Sequence, residues 1–388
     1  MPDVLRDLTV EQSMSLRRRS LLAWGVSAAG GLTVTCGRPS GSSTGQPPAW
    51  STVPVVGDGR WIEVAPPRGP AGYYDRRPFE LAVGVEMRGR GNATHLRAAT
   101  PVPTPHPEQP IDDVQIATEG CEARIQAVGE GAAQLLVSAG GITAGQVIRA
   151  TARYRLTVAK QYFGHERDRF PSRQPPPAAA IRDRYLGNSP GIETSSAPVR
   201  KLLDTIRGPA SEHPWDVAQR CWRWVREHIR PRIGPYTSVV KAIENRVGDC
   251  EEMAALFVAL CRRAEIPARL VWVPNHNWAE FHLVDEQGAG HWIPAHTACY
   301  PWFGWTGVHE LVIQKGDRVL PAHARAPQRL LEDWGQAAGP RPAFRWTAEL
   351  APLPAKTGDD PGPGGRVKQD SGAWTLAGHR LDSLLRRQ

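Results

Sequence analysis

The chain has 388 residues, 41% of them hydrophobic and 22% charged, which excludes wholesale disorder. It contains no run of 18 apolar residues, so a bundle of membrane-spanning helices is excluded as well, and the length predicts two folded units with connecting segments. The 47 Lys+Arg against 39 Asp+Glu give a net charge of +8, but the basic residues are scattered singly and form no patch or stripe, so nucleic acid is not an expected partner.

In chain order, a targeting segment comes first. Arg18-Arg19-Ser20-Leu21-Leu22 matches the twin-arginine export pattern. The apolar stretch Leu21 to Val34 is too short and too diluted by Gly, Ser and Thr to span a bilayer as a mature helix. It ends at Thr35-Cys36-Gly37, where Cys36 resembles the acylated cysteine of bacterial lipoproteins. Residues 1–36 are therefore expected to be a twin-arginine signal with Cys36 as the lipidation candidate. Residues 37–59, rich in Gly, Ser and Pro, are expected to be a flexible tether. The expected location is the periplasm or cell envelope, with membrane attachment through a lipid on Cys36. Export also permits disulfides. Beyond Cys36 lie Cys121, Cys221, Cys250, Cys261 and Cys299; five is odd, so one stays free unless it pairs between chains.

From Phe79 the pattern alternates. Phe79, Leu81, Val83, Val85 and Met87 share one strand face, and Ile148, Ala150, Ala152, Tyr154, Leu156 and Val158 share another. Shorter strands are expected near Val114 to Ile116 and Leu135 to Val137. The spacing predicts an antiparallel β-sandwich over 60–165. Pro171 to Pro177 breaks regularity, and 166–184 is read as a linker. The period then becomes helical: Val199, Leu202, Leu203 and Ile206, then Trp215 to Ile229 with Pro214 at the first helical position. A third helix begins near Cys250, and strands follow at Ala268 to Val273, Trp278 to Val284 and Trp292. The second unit, 185–330, is thus α+β. Residues 331–388 are expected to be a partly disordered extension.

The chemistry centres on Gly248-Asp249-Cys250-Glu251-Glu252. Asp249 is a good N-cap and Glu252 can close a capping box, which puts Cys250 in a first helical turn, where the helix dipole favours a thiolate. Glu251 and Glu252 oppose it, so a base is needed. His276 heads the strand His276-Asn277-Trp278-Ala279-Glu280. On local sequence, Cys250 is equally readable as a small buried apolar residue, and His276 taken alone reads first as a solvated loop residue.

The joint arrangement resembles the transglutaminase-like superfamily. It rests on Gly248-Asp249-Cys250 heading a helix, Glu265-Ile266-Pro267-Ala268-Arg269, His276-Asn277-Trp278-Ala279-Glu280 and Trp292-Ile293-Pro294. The resemblance spans roughly 79 to 320, with the β region similar to the N-terminal sandwich of exported bacterial members. It implies an α+β, papain-like core preceded by an antiparallel β-sandwich, and a Cys-His-Asp triad. Cys250 would attack an amide or peptide carbonyl of a protein or peptide substrate, His276 would move the proton, and the Cys250 N–H would face the oxyanion. Tyr236 is an oxyanion candidate. The chain departs from the family at the third position, where His296 stands in place of the aspartate. As an orienting imidazole, His296 would make activity fall as pH drops through about 6.5. Asp285 does not have the spacing of the missing acid. Hydrolysis is favoured over cross-linking; the alternative is a catalytically weakened domain that binds peptides or cell-wall polymers. His276, His282, His291, His296 and Cys299 fit no compact zinc motif, so neither metal nor cofactor is expected.

Overall fold

Alternating runs in the first half of the chain form long strands, and they do so against partners from both ends of the sequence. The structure, a computed structural model, describes residues 51–54, 61–64 and 69–354, except 165, 210, 211, 233, 275 and 299. The expected signal, Cys36, Cys299 and the tail beyond 354 lie outside the described residues. A small antiparallel pair, β1 (Ser51–Pro54) with β2 (Trp61–Val64), comes first. Residues 51–54 were expected in the tether and are paired instead.

The sandwich is built from β3 (Gly72–Arg88), β4 (Ala93–Val102), β5 (Ile111–Glu119), β6 (Glu122–Gly129), β7 (Ala132–Ile142) and β8 (Val147–Tyr162). Its core holds the apolar faces read from sequence on β3 and β8, among them Met87, Ile148, Ala150 and Leu156, each fully buried. The opposite face of β8 is wet, and Arg149 bridges Glu86 on β3 at 2.9 Å and Glu119 on β5 at 2.8 Å. Strands β3 and β8 approach closely at Gly84, where a Cβ would lie 2.1 Å from the Ala150 carbonyl oxygen.

Helices and strands of the second unit follow: α1 (Ala179–Tyr185), α2 (Ala197–Ile206), α3 (Pro214–His228), β9 (Arg230–Pro231), α4 (Val239–Asn245), β10 (Val247–Gly248), α5 (Cys250–Arg263), β11 (Ala268–Val273), β12 (His276–Val284), β13 (Gly290–Ala295) and β14 (Gln314–Lys315). Helix α1 starts inside the expected linker, and Gln174 anchors that linker by bonding both backbone groups of Val284. Pro214 does open α3, with His213 as the N-cap accepting the Trp215 N–H at Nδ1. The core sheet is antiparallel, ordered β13-β12-β11-β14. Helix α5 packs on it and is buried on all sides from Glu252 to Arg262, not along one stripe, because helices α2, α3 and α4 cover its other flanks.

The chain then returns to the sandwich. Strands β15 (Trp334–Ala338) and β16 (Ala343–Pro352) complete two four-stranded antiparallel sheets, β15-β4-β7-β6 and β16-β3-β8-β5. Residues 334–352 thus belong to the sandwich and not to a separate extension, while the stretch beyond 354, where disorder was expected, lies outside the described residues: β16 pairs with β3 over ten residues, from Ala343 opposite Arg88 to Pro352 opposite Phe79. Phe344, Trp346 and Leu350 fall at period two on β16 and pack onto the sandwich core, which is why the segment is ordered.

The two units meet through buried polar contacts. The side chain of Gln109 clamps both backbone groups of Val312. Lys315 lies 2.5 Å from Glu108 of the sandwich and 2.6 Å from Glu280 of the core sheet, and Arg269 completes the group 2.7 Å from Glu280. Among the described residues, no helix is long and apolar enough to cross a membrane.

Candidate active site

Cys250 is the first residue of α5. Asp249 caps the helix, its carboxylate accepting the Glu251 N–H at 2.8 Å. Glu252 returns the favour: its carboxylate accepts the N–H groups of Asp249 at 3.1 Å and Thr237 at 2.7 Å. The capping box therefore fixes the entry of the chain and sets Cys250 at a helix end whose first N–H groups have no carbonyl partner inside the helix. Cys250 keeps part of its surface open, while its neighbours desolvate the thiol. That burial, and then the charges of Asp249, Glu251 and Glu252, push the thiol up to about 12; the Asn277 backbone N–H, which reaches the sulfur, pulls the other way. The helix dipole does not overcome three neighbouring carboxyl groups.

The contact from Asn277 brings the start of β12 to the α5 N-terminus, and His276 is the adjacent residue. Along β12, Asn277, Ala279 and Phe281 alternate with His276, Trp278, Glu280 and His282. Ala279 and Phe281 face α5 in the main core, whereas Trp278 stacks on His296 on the opposite face. The His276 and His296 rings lie 6.0 Å apart between centroids, inclined by 22°, so the structure sets both on one face. Tyr300 closes the group edge-on, 5.8 Å from His276 and 5.5 Å from His296.

His296 is fully buried just beyond β13. Its backbone N–H donates to the Trp302 carbonyl and its own carbonyl accepts the Trp222 indole N–H at 2.6 Å. Neither ring nitrogen has a hydrogen-bond partner among the described residues. Burial first, then His276 and Arg226, hold its basicity well below the usual histidine range. His296 therefore stays neutral near pH 6.5, and the pH sensitivity expected there does not follow.

Sequence reasoning missed Glu310. This carboxylate is buried, 3.6 Å from His296 Nε2, and burial pushes it up to about 8, with the Trp278 indole N–H opposing. It lies in an irregular segment, 14 positions past His296, with no motif around it to flag it. Asp285, the other acid considered, is engaged elsewhere, 2.7 Å from His291 and 3.1 Å from Arg169. His282 packs edge-on against Trp292 at 5.0 Å. The histidines clustered in sequence are thus split in space. The Tyr236 hydroxyl donates to the Gly191 carbonyl, and Arg329 lies over its ring at 3.5 Å. A phenol proton so engaged is not directed at an oxyanion. The thiols of Cys121, Cys221, Cys250 and Cys261 are free, with Cys221 and Cys261 buried.

Residues 200–297, the segment that carries Cys250, His276 and His296, match the family model of the transglutaminase-like superfamily. This segment is a transglutaminase-like domain. The fold is also similar to that of a candidate cysteine protease from Cytophaga hutchinsonii, with a TM-score of 0.50 and 16% identity, covering 74% of this chain and 94% of that one. A candidate protease from Parabacteroides distasonis aligns with a TM-score of 0.22 and 13% identity over 57% of this chain and 43% of its own, too little to carry an argument. No curated protein matches the sequence. The mixed architecture, a transglutaminase-like core joined to an antiparallel β region, is the fold class expected from sequence.

Proposed function

We propose that this protein is an exported thiol enzyme of the peptidase type that acts on amide or peptide bonds through Cys250 and His276. The observation that carries the reading is the meeting of the α5 N-terminus with the start of β12, where the Asn277 N–H reaches the Cys250 thiol and His276 stands next in the chain. The likeness of residues 200–297 to the transglutaminase-like superfamily supports it.

Because the thiol is pushed up to about 12, it begins the reaction protonated. Attack and proton transfer are then concerted: the sulfur bonds to the carbonyl carbon as His276 takes the thiol proton. The N–H of Cys250 stabilises the oxyanion. His276 returns the proton to the departing amine as the C–N bond breaks, leaving a thioester. Water hydrolyses the thioester, since Cys250 is partly exposed and water is the abundant acceptor. Arg18-Arg19 and Cys36 support export by the twin-arginine route and a lipid anchor at the cell envelope.

A second reading, a weakened domain that binds peptides or cell-wall polymers, is favoured by the unbonded His296 ring and the raised thiol. Residue-resolved iodoacetamide labelling at neutral pH, run beside hydrolysis of peptide amides, separates the two. In His276→Ala, Cys250 labelling and hydrolysis should both fall by roughly 10²-fold or more while Cys121 labelling is unchanged. Equal Cys250 labelling in both proteins, with no hydrolysis in either, removes the enzyme and leaves the binder.

A further inference from the structure

The geometry points to a binding site for a divalent transition metal ion of the zinc class, formed by His276, His296 and Glu310. The three side chains are buried, come from three separate chain segments, and place one donor atom each within 4.8 Å of the others. His296 Nε2 and Glu310 Oε2 are 3.6 Å apart, too far for a hydrogen bond. Two ligands held about 2.0–2.1 Å from one tetrahedral zinc ion are about 3.3–3.4 Å apart, so that spacing needs almost no adjustment. The widest spacing closes by about 1.4 Å on the same basis, a side-chain rotation.

Burial makes the observation informative. His296 and Glu310 are each more than nine-tenths buried, yet among the described residues neither His296 ring nitrogen has a hydrogen-bond partner and the Glu310 carboxylate has only the Trp278 indole N–H against it. Buried polar atoms are rarely left unpaired, and a cation shared by the two side chains satisfies them together. The surroundings suit ligands held in place: His296 is stacked 4.8 Å from Trp278, flanked by Trp302, and the Trp278 indole N–H faces the Glu310 carboxylate. Two imidazoles and one carboxylate favour zinc or its transition-metal neighbours over calcium and magnesium, which take oxygen ligands. Arg226 adds a positive charge close enough to be felt at His296, and it limits the affinity.

Metal binding has a consequence for the reaction, and this half rests on the function proposed above. A nitrogen lone pair of His276 committed to a metal cannot take the Cys250 proton. Loading the site therefore turns the thiol chemistry off reversibly, without touching the sulfur.

The test uses the full chain, stripped with a chelator and titrated with zinc sulfate, with bound metal counted after equilibrium dialysis. Cobalt gives a second reading through its visible absorption bands. Wild type should bind one equivalent, and Cys250→Ala should bind equally. Glu310→Gln and His296→Asn should each lose at least tenfold in affinity, with thermal midpoints in chelator recorded for both; if one variant does not fold, the other decides. Zinc should slow Cys250 labelling in wild type and leave it unaltered in Glu310→Gln. Absence of stoichiometric binding, or binding undiminished in the folded variants, overturns the site. Loss of binding in Cys250→Ala alone also overturns it, since the metal would then sit on the thiol. If metal-free wild type shows no selective Cys250 labelling, the proposed function fails while the metal count still judges the site.

Discussion

Replacing Asp249 with asparagine should stabilise the protein at high pH and have little effect at low pH. Asp249 is raised from 3.8 to about 8 by burial, then by the hydrogen bond and charge of Glu252 and the charge of Glu251, with the Glu251 N–H pulling back. A carboxyl raised on folding binds its proton more tightly in the native state. Its favourable contribution is complete below the unfolded value near 4 and is lost as pH rises through about 8. The separation between 3.8 and about 8 sets an upper limit of roughly 6 kcal/mol. Partial exposure of the Asp249 carboxyl reduces this to about 3 kcal/mol. Asparagine keeps the N-cap, so the helix loses little. The competing effect is the helix dipole, which favours a negative charge at Asp249 by about 1 kcal/mol and has the opposite pH dependence. Urea unfolding of both proteins from pH 4 to 8.5 measures the balance. The expected result is a gain of about 3 kcal/mol for Asp249→Asn at pH 8.5, shrinking to within about 1 kcal/mol near pH 4. A gap constant with pH, or a wild type that improves relative to the variant as pH rises, would refute the reasoning.

Two further outcomes follow from the way the units are joined. Ending the chain at residue 330 removes β15 and β16, strips Phe344, Trp346 and Leu350 from the sandwich core and bares an edge on each sheet; size-exclusion chromatography and thermal melts should show aggregation or loss of a cooperative transition. Replacing Lys315 with methionine leaves Glu108 buried without its cation and Glu280 with Arg269 alone. Denaturant titration should show a loss of about 3–5 kcal/mol, partly recovered by adding Glu108→Gln.

Much of the fold was legible because its elements are periodic. The apolar alternation on β3 and β8 and the helical spacing of α2 and α3 are local signals, and the structure follows them. The β16 alternation, Phe344, Trp346, Ala348 and Leu350, is just as regular, but a lone strand after a helical unit does not announce a partner more than 250 residues earlier. At the site, Cys250, His276 and His296 sit in motifs with fixed spacing. Glu310 does not. Its place depends on an irregular segment held by packing, and no period or motif encodes that. The hydroxyl of Tyr236 likewise depends on where Gly191 lies, which spacing along the chain does not reveal.

The sandwich therefore bears on the chemistry of the core. The segment from His296 to Lys315 contains little regular structure, and such a segment would ordinarily be free to move. Here the sandwich pins it along its length: the Thr306 hydroxyl accepts the Gln161 N–H at 2.9 Å, Gln109 grips Val312 from both sides, and Lys315 donates its backbone N–H to Gly131 at 2.8 Å. Glu310 lies between these anchors, two residues from Val312. The bonds that hold its carboxylate near His296 thus belong to the β domain, whereas Cys250 and His276 are set by α5 and the core sheet. A buried carboxylate with only an indole N–H against it stays where it is only if its backbone is held from outside. The closing strands β15 and β16 stabilise the sandwich that does the holding. The position of Glu310 beside His296 is in this sense a property of the two units together, although Cys250 and His276 lie in the segment that matches the transglutaminase-like family model.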